Sequence, residues 1–309
     1  EDDFGGRFVL TGSQNFLLLQ SISQTLAGRC AVLHLLPFSR SELLGRPVMD
    51  LDKVGVSRRR KMDDRDDDLF RALLTGGYPR IHDKQLPPQD WLANYYQTYL
   101  ERDDRDVLNI GDLDALGRFI RLCAGRCGQL LNLSSLANDC GISHTTARRW
   151  LSALEVSFLV YLFRPHHRNF SKRLIKSPKL YFVDSGLLCY LLGIRSEEEL
   201  RIHASRGAVF ESWVVCEALK ASYHRGQVPR LHFWRDSAGH EVDLLIDRGQ
   251  ELVPVEIKSG QTINDDFFKG LAYWRKLPGQ AELSAALVYW GTDAYRRRQV
   301  DVIPWCNWG

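Results

Sequence analysis

The sequence predicts a mixed α+β (α/β) protein built from several modules, on three observations. An apolar, β-favouring run, FVLTGSQN from Phe8 to Asn15, is followed at once by the helical period of FLLLQSISQTLAG. The middle third, from Leu113 to Phe163, holds three helical patterns in succession. The last third reads helix, strand, strand, strand, helix, strand. At 309 residues the chain exceeds one ordinary core, and its modules are expected at 1–50, 51–112, 113–184 and 185–309.

In the first module the turn Thr11-Gly12-Ser13 marks the carboxyl end of a parallel strand feeding a helix, the place where open α/β sheets hold ligands. AVLHLLPF, from Ala31 to Phe38, reads as the next strand, and the pattern turns helical after Ser39. From Lys53 to Asp68 opposed basic and acidic blocks describe a surface loop or linker. Helical signals resume at Leu69 to Leu74, break at Gly76-Gly77-Tyr78-Pro79, and return in a helix carrying Trp91 to Tyr99. ERDDRD, from Glu101, places opposite charges at helical neighbour spacing, which reads as intrahelical pairing.

LSSLANDCG and ISHTTARRWLSALEVSFLV form two helices with Ser134 and Ser143 suited to N-caps and Gly141 to the short turn between them. That layout is a helix-turn-helix. The two β-like runs that follow, joined by basic residues, would supply the wing of a winged helix. His144, Thr145, Arg148 and Arg149 on the second helix form a candidate DNA-contacting surface, with Arg164, His166, Lys172, Arg173 and Lys179 added by the wing.

In the last module Gly207 to Tyr223 is helical, and LHFWRD, EVDLLID and ELVPVEIKS are strands, the last two joined by an Arg248-Gly249 turn. DDFFKGLAYWRKL is an amphipathic helix and AALVYWG another strand. Trp213, Trp234 and Trp274 read as core or rim residues.

Composition narrows the classes. The chain is 44% hydrophobic and 26% charged, and no apolar run approaches the ~20 residues that cross a bilayer. It opens Glu1-Asp2-Asp3, unlike a signal peptide, so no membrane association and a cytoplasmic location are expected. Seven scattered cysteines inside apolar patterns read as buried free thiols rather than a secreted disulfide framework. The net charge of +3 does not argue for nucleic acid by itself.

The constellation that carries chemistry is Glu211, Asp243, Glu256 and Lys258. Glu256 and Lys258 lie two apart on one strand and so share a face. Asp243 lies on the preceding strand and Glu211 on the helix before it. Carboxylates converging beside an ammonium are hard oxygen ligands for Mg²⁺, with Asp243, Glu256 and Glu211 as the ligand set, and suit phosphodiester hydrolysis. Lys258 would position the attacking water. Ordinary strand charges at a sheet edge are the bland alternative, weakened because VEIK sets its charges among apolar positions where they need partners or a metal.

These positions resemble the PD-(D/E)XK nuclease-like superfamily. More widely, GRFVLTGSQNFLL, LAGR, LPFSRSEL, YYQTYLERD, KSPKLYFVDSGL, RGAVFESWVV and HEVDLLI resemble a prokaryotic family of ATP-binding proteins in which an AAA-type module precedes a C-terminal domain of unknown function with this nuclease-like core. The resemblance covers nearly the whole chain. It implies that Ser13 and Asn15 face the nucleotide's terminal phosphate and that Arg29 contacts phosphate from the lid or a neighbouring subunit. The sequence contains no Gly-x-x-x-x-Gly-Lys-Ser/Thr loop and reads as N-terminally incomplete, so ATP is expected as a cofactor only of a complete chain. The partners implied are DNA, with a homo-oligomer or a protein partner as the alternative. The competing reading is a non-catalytic DNA-binding or assembly module with an inactive nuclease-like fold.

Overall fold

The computed structural model describes residues 31–54, 68–108, 112–166, 176–279 and 284–309, with side chains of the first long helix described as far as Tyr99. The fold is mixed α+β. Residues 31–38, expected as a strand, instead run as irregular chain, with Leu33 and Leu35 exposed and only Leu36 buried. An apolar run becomes a strand only beside a partner, and among the described residues the backbone contact here is one N–H from Phe38 to the Gly77 carbonyl at 2.7 Å.

A short helix, α1 (Arg40–Leu43), opens on a capping box in which Ser39 and Glu42 exchange backbone and side-chain bonds. Helices α2 (Leu69–Thr75), α3 (Pro79–Lys84) and α4 (Pro88–Leu108) follow. Proline stands at the first position of both α3 and α4, where its missing N–H costs nothing. Helices α5 (Leu113–Gly125), α6 (Leu133–Cys140) and α7 (His144–Val156) form the middle group. The N-cap of α6 is Asn132, whose side chain accepts the Ser135 N–H at 3.0 Å, rather than Ser134, because the helix begins two residues earlier than its pattern suggests. Ser143 caps α7 by accepting from Thr146 N–H, and Gly141 takes the left-handed conformation (φ +73°) that the tight turn between the two helices needs.

Strands β1 (Val160–Phe163) and β2 (Lys179–Phe182) pair antiparallel from Val160–Phe182 to Phe163–Lys179. All four positions of β2 are buried. Two short helices, α8 (Ser185–Leu191) and α9 (Glu197–Ile202), lead into α10 (Arg206–His224). The core of α10 is buried on every side from Ser212 to Ser222, as suits a helix between layers. Each buried side chain such as Phe210, Val214 or Leu219 contributes about 1.5–3 kcal/mol.

The large sheet has the order β3 (Leu231–Arg235), β4 (Glu241–Asp247), β5 (Leu252–Lys258), β6 (Ala286–Tyr289), β8 (Val300–Pro304), β7 (Tyr295–Arg297), with helix α11 (Lys269–Trp274) between β5 and β6. The three central strands β5, β6 and β8 run parallel, and the flanking pairs are antiparallel. Strands β7 and β8 extend beyond the elements expected from the sequence. The β4–β5 turn carries Gly249 at φ +86°, with its N–H on the Asp247 carboxylate at 2.7 Å.

One hydrophobic core runs from Leu36 through the middle helices to Trp308 and takes in Val253, Val255 and Ile257 from one face of β5. Smaller clusters around Phe268 and around Trp234 with Trp274 fill the space beneath α11. The two-stranded β1–β2 ribbon and the large sheet are stitched together, since Pro165 bridges Phe233 and His166 N–H donates to the Phe233 carbonyl at 2.8 Å. Cys123, Cys127, Cys140, Cys189, Cys216 and Cys306 are buried free thiols. No helix among the described residues is long and apolar enough to cross a membrane.

A second, polar layer joins α1 and the Gly76-Gly77 turn to α8 and α10. Asp184 caps α8 through the Leu187 N–H at 2.8 Å and accepts the Gly77 N–H at 2.7 Å. Lys220, buried on α10, donates to Glu217 and to the Phe38 carbonyl, each at 3.0 Å, while Glu217 accepts the Arg40 N–H at 2.9 Å. A cavity of about 370 Å³ lies over this network, lined in part by Arg40, Arg71, His82 and Lys220.

Candidate functional site

Strands β4 and β5 pair from Leu244–Val255 to Asp247–Leu252, and the register stops there. Beyond it the Ile257 N–H donates to Asp243 Oδ2 at 2.8 Å instead of to a backbone carbonyl. The side chain of Asp243 has replaced a rung of the ladder, which opens the strands where the acidic residues stand. Lys258 Nζ then reaches both Asp243 Oδ2 and Glu256 Oε2 at 3.3 Å. Asp243, Glu256 and Lys258 therefore meet, on adjacent strands.

Glu211, on the first turns of α10, reaches the same place from the side. Its Oε1 accepts from Lys179 Nζ at 2.7 Å and from the Tyr181 hydroxyl at 2.5 Å. Glu241 completes the group. It pairs with Lys179 through Oε1 and with Arg235 through Oε2 at 2.8 Å. Oxygens of Glu211, Glu241 and Asp243 all lie within 4.8 Å of one another. Glu256 stands outside that trio, its Oε1 turned against α11 so closely that a Cβ on Gly270 would lie 2.0 Å away.

Electrostatics follow from burial. Glu256 is pushed well above the usual carboxylate range, by burial first and by the Asp243 charge next. For Asp243 burial works upward, but Lys258, the Glu256 hydrogen bond, Lys179 and the Ile257 amide outweigh it and hold the carboxyl at about 2. Glu211 is raised by burial, against the pull of Lys179. Burial disfavours the charge of Lys179, yet Glu211, Asp243 and Glu241 more than offset it and keep the ammonium protonated. Tyr181 is driven far upward by burial and by Glu211, so it remains a phenol able to donate.

The donor set fits a hard divalent cation, since it consists of carboxylate oxygens converging from a helix and a strand. Glu211 and Asp243 of the sequence-derived ligand set stand in the trio. Sequence reading missed Glu241 and Tyr181 and assigned Lys179 to the wing of the nucleic-acid surface instead. The signal was the two-residue spacing: Glu241 and Asp243 share one face of β4 as Glu256 and Lys258 share one face of β5, and Lys179 and Tyr181 do the same on β2.

The candidate nucleic-acid face divides. His144, Thr145, Arg148 and Arg149 are exposed on α7, and no described residue forms an ion pair with either arginine. Lys179 and His166 are not on that surface: they are 3% and 8% exposed, because β2 and the end of β1 are walled in by α10 and β3. Arg164 is exposed beside Glu155 at 3.8 Å. Ser13, Asn15, Arg29, Lys172 and Arg173 lie outside the described residues.

Comparison with known proteins adds three family matches. Residues 1–44 match an AAA domain, residues 66–198 a domain of unknown function (DUF8612), and residues 206–308 a domain of unknown function (DUF4143). These matches support an AAA-type family. Among relatives, the uncharacterized protein Rv2008c of Mycobacterium tuberculosis is 30% identical over 258 residues, 83% of this chain and 53% of that protein. The uncharacterized protein Mb2031c of Mycobacterium bovis matches to the same extent. An uncharacterized protein of Haemophilus influenzae is 25% identical over 260 residues, 82% of this chain and 59% of its own. The chain thus spans little more than half the length of the curated relatives it matches.

Proposed function

We propose that this chain is the DNA-associated part of an AAA-type ATP-binding protein, with a PD-(D/E)XK-type centre that hydrolyses phosphodiester bonds with Mg²⁺. The observation that carries the reading is the meeting of Asp243 with Glu256 and Lys258 where the β4–β5 ladder opens, with Glu211 approaching from α10. Asp243, Glu211 and Glu241 would hold the cation. A bound divalent cation supplies Lewis acidity toward the scissile phosphate and lowers the pKa of a water. Lys258, held by Asp243 and Glu256, would position the attacking water and offset charge on the phosphate. The α6–turn–α7 pair and its exposed Arg148 and Arg149 support DNA as the polymer held, in the manner of a winged helix. Nucleotide binding belongs to the complete protein, with Ser13, Asn15 and Arg29 as its residues here.

One observation favours the non-catalytic reading: Lys179, Lys258 and Arg235 already offset most of the acidic charge without a metal. Plasmid, branched and single-stranded DNA incubated with the chain in Mg²⁺, Mn²⁺ or EDTA separates the two. Cutting that requires the cation and vanishes in Asp243→Asn and Lys258→Ala supports the nuclease. Salt-steep binding with no cutting, its log–log salt slope reduced by about 2 in the Arg148→Ala/Arg149→Ala variant, supports a binding module.

A further inference from the structure

The trio Glu211, Glu241 and Asp243 already holds a cation, and it belongs to the protein. Lys179 Nζ lies 2.7 Å from Glu211 Oε1 and contacts Glu241 Oε1, with its side chain only 4% exposed. The same ammonium stands 5.6 Å over the Phe233 ring, a contact that favours the charged form. Its backbone is equally fixed. Lys179 opens β2, pairs with Phe163 and bridges Leu130, all within the core that the middle helices share with α10. The carboxylates come from α10 and β4, the ammonium from the ribbon.

We propose that Lys179 is the resident counter-ion of this cluster, and that a divalent cation enters the trio only by exchange with its ammonium. This rests on reading the trio as the metal centre of the proposed function and states how that centre is loaded. Divalent cations need their oxygen ligands at about 2.0–2.6 Å. An ammonium bound to two of the same three carboxylates competes for those oxygens and repels the incoming charge through a poorly screened interior. A metal therefore displaces Lys179 from Glu211 and Glu241, which breaks the one charged link between the ribbon and β4 among the described residues. Loading the centre thus removes a charged tie to β4, while the Pro165–Phe233 bridge and the His166 N–H bond keep the ribbon on the sheet.

The test uses the whole chain and needs no cleavage. Mn²⁺ alone is titrated by calorimetry into wild type, Lys179→Met and Lys179→Arg. Lys179→Met, which keeps the length of the side chain without its charge, is expected to bind Mn²⁺ about tenfold tighter or more than wild type, since one charge has been removed at contact distance. Lys179→Arg, which restores the charge, should return toward the wild-type affinity. In EDTA Lys179→Met should melt below wild type and regain stability in Mn²⁺, whereas wild type should change little. Equal Mn²⁺ affinity in wild type and Lys179→Met, or a tighter-binding Lys179→Arg, would overturn the exchange. Should Lys179→Met not fold in EDTA, refolding from urea decides: recovery in Mn²⁺ supports the proposal and failure in Mn²⁺ overturns it. A wild type that never cuts DNA while Lys179→Met gains Mn²⁺ affinity sinks the nuclease reading alone. Cation-dependent cutting with equal affinities sinks the exchange alone.

Discussion

Substituting Gly76 with alanine should destabilise the fold by about 2.5–6 kcal/mol. Gly76 ends α2 at φ 70° and ψ −164°, a region essentially reserved for glycine, where another residue costs about 1–3 kcal/mol. A Cβ there would lie 2.4 Å from Asp184 Oδ1 and 2.7 Å from Oδ2. The carboxylate must therefore move, and it is committed to the Gly77 and Leu187 N–H groups. Losing one charged hydrogen bond of this kind costs about 1.5–3 kcal/mol. The sum is a large part of a typical total stability of about 5–15 kcal/mol. Urea denaturation of Gly76→Ala, Asp184→Ala and the double variant measures it as a cycle. In the Asp184→Ala background only backbone strain remains, so the coupling energy should be about 1.5–3 kcal/mol. Costs that add to within about 0.5 kcal/mol, or a Gly76→Ala cost below about 1 kcal/mol, would refute the steric account.

Other outcomes follow from the same reasoning. Lys220→Met leaves Glu217 buried without its ammonium and should cost about 3–5 kcal/mol by urea midpoint, with Glu217→Gln/Lys220→Met recovering part of it. Asp236 is held below its ordinary value: burial pushes upward, but hydrogen bonds from the His240 side chain and backbone and from the Tyr273 hydroxyl outweigh it. Because the folded pKa is the lower one, its stabilisation is present above about pH 3.9 and lost as pH falls through the folded value. Melting temperatures at pH 6 and pH 3 should therefore differ less in Asp236→Asn than in wild type. Trp308 fills the core and donates its indole N–H to the Val214 carbonyl at 2.9 Å, so Trp308→Ala should cost about 3–5 kcal/mol and speed proteolysis of the last residues.

What the sequence by itself determined is what depends on neighbours along the chain. The two-residue period of EVDLLID and ELVPVEIKS and the Gly249 turn between them follow from local geometry. So do the cap at Ser143, the glycine turn at Gly141 and the helical period from Gly207. Asp243, Glu256 and Lys258 were legible for the same reason, since spacing within a strand sets the face a side chain takes. Charge was legible too, but not its destination. Lys179 reads as one more basic residue of a wing, and only the packing of β2 against α10 and β3 turns it inward onto Glu211 and Glu241. Ala31 to Phe38 is apolar enough for a strand and is not one, because the decision belongs to a partner many residues away. The trio of carboxylates is likewise a product of tertiary structure. Glu211 and Asp243 are 32 positions apart, and the ladder between β4 and β5 must end after Leu244 before the Asp243 carboxylate can stand beside Glu211 and Glu241. Local rules fix which way a side chain leaves its own element, whereas the long-range packing of elements decides what it meets.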